Sequence, residues 1–599
     1  NVAGGFAGDF QSGKVDNRSR KERDYYAVYN IDHVNGQAYA GGFGGKVYSG
    51  ALADAGGGIS ILGKSGLSID LSQLLDVIEA YVPYIQYAGV KSDNGFTVTA
   101  LMTDGFPMGE NYGSAGGFIG YASGAQISYC DVTSLKHTTV TPPNDLEAME
   151  APSYFNENEK TESTYAVTGE RYAGGFVGCM DIGSAASVGD GLKVLGTSIQ
   201  LTEVLSALDM VVTTIEHSNV TGAAGGYSVL ASNGVSKSSD SGSSGVVGRS
   251  PEGHAGGFAG IINGGHIQNS NAHNFEYVIG QISAGGYVGE MKPGDVTKFM
   301  EDVSVLGNLV DVDKSLASLL QTFVPTIRNS STDAVPCGGV VRAQAGSDSM
   351  IQRGMAGGYV GHNMGGSIWG LNNDPWKTAD DSYTGSTSLC KAERIRSVYG
   401  AEYAGGYTGF MEAADTANVG GLSILNGLIT ANNVLGALSV VYPTQENTAV
   451  YGPLANLDVN TWNKWVEYVG KYGGYGYELA QTGKVNIQNE LDAKLAQYIY
   501  GFNVVAGRDS EGTNLPNPGG DAGGYVGVMQ SGTLTNCMAY DVKQVKARGA
   551  AGGYAGRMET GGAAEFGSVS ILGLNLNVGQ LVDLAQFFVP AVRNSSVQG

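Results

Sequence analysis

The sequence predicts a mainly β protein: a parallel β-helix, or β-solenoid, repeat array with one short amphipathic α-helix projecting from each repeat unit. Three observations predict it. A glycine-rich hexad recurs from end to end, the hexads come in pairs, and each pair is followed by the same strand-like and helix-like segments. Of 599 residues, 95 are glycine and only 15 proline, with no Gly-every-third period, which excludes collagen. Hydrophobic residues make up 42%, enough for a sizeable core.

The hexad Ala-Gly-Gly-(Phe/Tyr)-x-Gly starts at Ala3, Ala40, Ala115, Ala173, Ala255, Ala284, Ala356, Ala404, Ala522 and Ala551, with a weaker copy at Ala224. Alternate residues of a strand face opposite sides, so the aromatic shares its face with the glycines two before and two after it. Stacked level upon level, these positions form an aromatic ladder of Phe6, Phe43, Phe118, Phe176, Phe258, Tyr287, Tyr359, Tyr407, Tyr525 and Tyr554. Each ring pair adds about 0.5–1.5 kcal/mol beyond area burial. The ladder fills the interior or lies under the helices; the alternative is an exposed strip that stacks on glycans or a partner. Exchange of Phe for Tyr implies that the ring tip meets water or a polar partner.

After each second hexad comes a short alternating apolar segment, such as Ile59-Ser60-Ile61-Leu62 or Val303-Ser304-Val305-Leu306, which reads as a strand closed by a turn. A helix follows. Leu71, Leu74, Leu75, Ile78 and Val82 fall on one stripe of a 3.6-residue period. The stripe recurs in every unit, and four of the five end at proline (Pro83, Pro325, Pro443, Pro590), which cannot continue a helix. A third glycine-containing stretch, such as Gly225-Gly226-Tyr227 or Cys337-Gly338-Gly339, completes the unit.

The units are 1–114, 115–254, 255–355, 356–521 with tryptophan-containing insertions, and a truncated 522–599. Each is too small to bury its own stripe, so all five stack into one continuous array; a string of separate α+β domains is the alternative. About fourteen levels would reach about 70 Å at the usual strand spacing. The pattern starts and stops mid-unit, so the sequence reads as part of a longer array.

With 34 basic against 56 acidic side chains the net charge is −22, which argues against a nucleic-acid binder. No apolar run reaches the ~18 residues of a membrane-spanning helix, so direct membrane insertion is not expected. Five cysteines without a CxxC pair read as small buried hydrophobes rather than a disulfide framework or zinc site. Gly58-Ile59-Ser60-Ile61-Leu62-Gly63-Lys64-Ser65 matches a phosphate-loop expression, but its aligned copies are apolar strands, which rejects nucleotide binding. The seven histidines show no metal-ligand spacing and no serine sits in a nucleophile elbow. No catalytic, metal or cofactor site is therefore assigned. Asp374, Asp380 and Asp381 read as solvated loop acids, Asp313 as a helix cap, and the basic run from Arg18 to Arg23 as an exposed loop. Insertions in repeat arrays gather on binding faces, and the fourth unit holds all four tryptophans: Trp369, Trp376, Trp462 and Trp465. These are the candidate ligand-recognition residues, with a local core under enlarged loops as the other reading.

The hexads, as at Ala173-Gly174-Gly175-Phe176-Val177-Gly178 and Ala522-Gly523-Gly524-Tyr525-Val526-Gly527, resemble the glycine-rich repeats of large bacterial cell-surface proteins, including those with the GLUG motif. The resemblance implies a secreted, extracellular or cell-surface protein: a stiff stalk or adhesive segment that mediates attachment or forms a surface fibre, and not an enzyme. Its implied partners are a glycan or protein receptor on another cell, or a second copy end to end. A polysaccharide-degrading β-helix enzyme and a self-assembling filament subunit are the alternatives.

Overall fold

The computed structural model describes residues 1–18, 26–50, 79–102, 109, 111–136, 165–183, 209–223, 226–231, 253–294, 321–335, 338–343, 354–370, 389–414, 442–453, 501–507, 520–561 and 589–599. Their architecture is mainly β, in three parallel sheets. The two halves of the hexad build the first two. Strands such as Val2–Gly4, Tyr39–Gly41 and Ser114–Gly116 form one ten-stranded sheet, and those just after them, Ala7–Gln11, Gly44–Tyr48 and Ile119–Ser123, form the second. The rest of each repeat supplies the third sheet, of 25 strands. The chain visits the three sheets in the same order ten times. All three run through every repeat unit.

Register follows from the hexad. Ala3 lies beside Ala40, Ala40 beside Ala115, and so on through Ala522 beside Ala551. In the third sheet an inward column runs Val15, Ile85, Ile127, Ile215, Ile267, Ile327, Ile368, Gln445, Leu534, Val592. Side chains from all three sheets meet in one apolar core that extends from Val28 to Ala539. Parallel strands that bury only one face favour a β-branched residue at each inward position, with polar residues on either side of it.

Two expectations change. There are ten passes among the described residues rather than about fourteen levels, because the third glycine-containing stretch is a further side of the same pass. Gly339–Ala343, for example, pairs with Tyr277–Gly280 and Ile395–Gly400 in the third sheet. The strands Ile59–Leu62 and its copies, and most of each helix, lie outside the described residues. The helix ends that are described, Glu79 to Tyr81, Asp209 to Val211 and Gln321 to Thr322, stop two to three residues before the next strand. At two of them Pro83 and Pro325 occupy that gap, as a residue without a backbone N–H should.

Candidate functional site

Inside the molecule the hexad aromatics form one column. Phe6, Phe43, Phe118, Phe176, Phe258, Tyr287, Tyr359, Tyr407, Tyr525 and Tyr554 stack in that order with centroids 4.8–5.1 Å apart. Phe6 is the open end, 49% exposed, and Phe43 to Tyr525 are fully buried. The tyrosine tips meet polar partners. Tyr287 donates to Ser270 O and Tyr359 to Ser330 O, both at 2.8 Å, and Tyr407 to Cys390 O at 3.0 Å. Tyr525 donates to Gln445 Oε1 at 2.8 Å. The interior is thus filled by its own side chains.

A second seam runs outside, where the strand before each hexad glycine pair packs against the strand after it. One column of the second sheet reads Lys46, Tyr121, Cys179, Ile261, Glu290, His362, Phe410, Val528, Arg557. Apolar clusters fill it at Tyr172, Cys179 and Ile261, and again at Ile282, Met355, Phe410 and Val528. Between them lies a buried charged chain. His362 Nδ1 is 3.1 Å from Glu290 Oε2 and His362 Nε2 is 2.8 Å from Glu412 Oε1. Lys292 Nζ reaches Glu290 Oε1 at 3.3 Å, and His254 Nδ1 lies 3.4 Å from Glu290 Oε2 and 2.7 Å from Ser283 Oγ.

Burial alone would hold His362 neutral, but the carboxylates on both ring nitrogens raise it to about 9. Burial would likewise push Glu290 up; His254, Lys292 and His362 outweigh this and hold it well below the usual carboxylate range. His254 is lowered to about 4, first by burial. The Ser283–His254–Glu290 grouping looks like a hydrolytic triad and cannot act as one. Serine and carboxylate share the same ring nitrogen, whereas proton relay needs one on each. Ser283 is also fully buried. No group of three or more His, Cys, Asp or Glu suited to a metal occurs among the described residues.

On the outside of the third sheet, eight of the ten inward-column residues are followed two positions later by a residue with left-handed backbone: Tyr87, Tyr129, His217, Asn269, Asn329, Asn447, Asn536 and Asn594, with φ between 47° and 54°. Asparagine and histidine tolerate that conformation; tyrosine does not do so readily. Here the rings stack, Tyr87 on Tyr129 and Tyr129 on His217, each 4.8 Å apart. Arg18 lies over Tyr87 at 5.8 Å. These rings cover one another's faces, so the corner presents edges and polar tips. The signal was present as Ile85-Gln86-Tyr87, Ile127-Ser128-Tyr129 and Ile215-Glu216-His217, three residues that no hydrophobic period marks.

Trp369 sits in Ser367–Trp369 on this outer face, with the Arg328 guanidinium 4.8 Å from its ring centre. Trp376, Trp462 and Trp465 lie outside the described residues, as do Asp313, Asp374, Asp380, Asp381, Cys337 and the Gly58–Ser65 segment. Arg18 is held by Asp16 in an exposed ion pair of 2.6 Å. No family model, curated protein or solved structure matches the chain.

Proposed function

We propose that the chain is a rigid, non-enzymatic repeat segment of a bacterial cell-surface protein: a parallel β-solenoid serving outside the cell as a stalk or adhesive region. The observation that carries this reading is the unbroken column of ten stacked rings, which ties all five repeat units to one interior and resists bending between them. A protein built to act on a substrate needs an open cleft. The Ser283–His254–Glu290 grouping is closed to solvent and wrongly connected. Trp369 on the outer face is proposed to provide ligand recognition, together with Trp376, Trp462 and Trp465 of the same unit.

Scattering from the purified chain is expected to give one stiff particle whose sheets span about 48 Å for ten strands at ~4.8 Å. A flexible string of globules overturns the solenoid. Antibody labelling of intact cells tests the location, and absence of labelling until the cells are opened overturns it. A glycan array compares the chain with a variant carrying Trp→Ala at all four tryptophans. Loss of binding supports recognition by them, and equal binding moves recognition elsewhere. Turnover of any polysaccharide on the array overturns the non-enzymatic reading.

A further inference from the structure

The charged stretch of the outer seam interrupts a column that is otherwise apolar from Tyr121 to Val528. Its neighbours show that Ile and Phe fit the same positions, at Ile261 and Phe410. A buried ion network is rarely better for stability than well-packed apolar side chains of similar size. Its distinctive property is sensitivity to protonation.

The groups that face it come from both hexad sheets. Tyr172 stacks on His254, and Phe410 on His362, with centroids 5.7 and 5.3 Å apart. Tyr403 stacks in turn on Phe410. Arg171, Lys292 and His362 all press positive charge on His254, opposed by Glu290. Glu290 is the carboxylate that His254, Lys292 and His362 share, and Glu412 touches only the far side of His362. A proton on Glu290 would leave Lys292 and His362 facing each other across a neutral group. His254, its burial no longer offset by Glu290, would stay neutral in the closed seam and could not replace the lost counter-charge.

We propose that this segment is an acid-released latch: protonation of Glu290 parts the seam between the two hexad sheets over passes five to eight and uncovers the apolar side chains beside it, while the third sheet stays formed. The side chains uncovered are Ile261, Ile282, Met355 and Phe410, now buried. Lowered His254 and Glu290 values support the direction, since each group gains a proton only in acid.

Hydrogen exchange on the intact chain, corrected for intrinsic rates, tests it from pH 7.5 down to about pH 2, since Glu290 is held well below the usual carboxylate range. Val288–Lys292 and Val360–Met364 are expected to lose at least tenfold protection at a pH where Gly44–Tyr48 and Ile119–Ser123 of the same sheet keep theirs, and where Tyr277 to Gly280 of the third sheet also stays protected. Simultaneous loss in all five segments overturns the proposal, as does protection of the two seam strands down to global unfolding. Glu290→Ile combined with His362→Phe copies the neighbouring passes and should bring the seam strands level with their controls. An unchanged acid response in that variant also overturns the latch. Should it fail to fold, the wild-type comparison decides alone.

Discussion

Gly406 shows how tightly neighbouring passes approach. A Cβ there would fall far inside the van der Waals contact distance of Gly524 O on the next pass and lie 2.8 Å from the Phe502 ring. Gly553 holds the same hexad position in the last pass, where an added Cβ meets only Val597 at an ordinary 3.6 Å. Gly406→Ala should therefore destabilise by about 3 kcal/mol or more, and Gly553→Ala by about 0.5 kcal/mol or less, measured by denaturant unfolding. Equal effects would mean that chain entropy, not close approach, explains the glycines. The four described cysteines are buried and free, as the composition implied. Cys130, Cys390 and Cys537 are buried and form no disulfide, and burial raises their thiols to about 12, 12 and 11. In the native protein these three should resist alkylation at pH 8 and react only after unfolding, as read by mass spectrometry.

A strand column is the element at which sequence and structure can be compared most directly. The hexad register was legible because one spacing repeats and each position has a distinct steric role. The Ile column was less so, since single isoleucines between polar residues lack a long apolar run. Gln445 would have argued against it altogether. It is accommodated because its neighbours changed with it: Gln445 Nε2 donates to Thr408 Oγ1 at 2.7 Å, and Tyr525 donates to Gln445 Oε1 at 2.8 Å. Thr408 stands where adjacent passes have Val360 and Val526. Gln445→Leu alone strands the Thr408 hydroxyl, while the Tyr525 hydroxyl keeps Thr448 Oγ1 at 2.5 Å, and should destabilise by about 1–3 kcal/mol, whereas adding Thr408→Val removes the stranded group and should recover most of that loss. A double-mutant cycle measures the coupling, and additive effects would show the bond to be unimportant. The outer corner was illegible for a different reason. Whether Tyr129 or Asn269 follows an Ile triplet, the backbone takes the same left-handed turn, and only coordinates reveal that the three aromatic exceptions stack.

At the scale of the whole molecule, the seam sets a pH range as well as a shape. Glu290, His362 and Glu412 are far apart in sequence, and no local pattern joins them; parallel register alone brings them together. His362 is raised from an ordinary 6.5 to about 9, so its contribution is complete below about pH 6.5 and disappears as pH rises through about 9. His254 has the opposite sign: lowered to about 4, it contributes above pH 6.5 and loses that contribution as pH falls toward 4. Stability should therefore peak near neutrality. Buried phenols such as Tyr359 and Tyr407 are raised well above 10 by burial, so their own alkaline penalty begins only above the unfolded phenol value. In unfolding free energies compared at pH 6.5 and pH 9.5, Glu276, raised to about 8 by burial, and the buried thiols add alkaline losses of their own, so the share of the histidine is the part of the loss that its replacement removes. The wild-type chain should lose about 1–3 kcal/mol more between those pH values than His362→Phe, which extends the Phe410 stack one pass further. An equal loss in the two chains would assign the whole alkaline limb to the other groups and leave the seam a packing feature without electrostatic consequence.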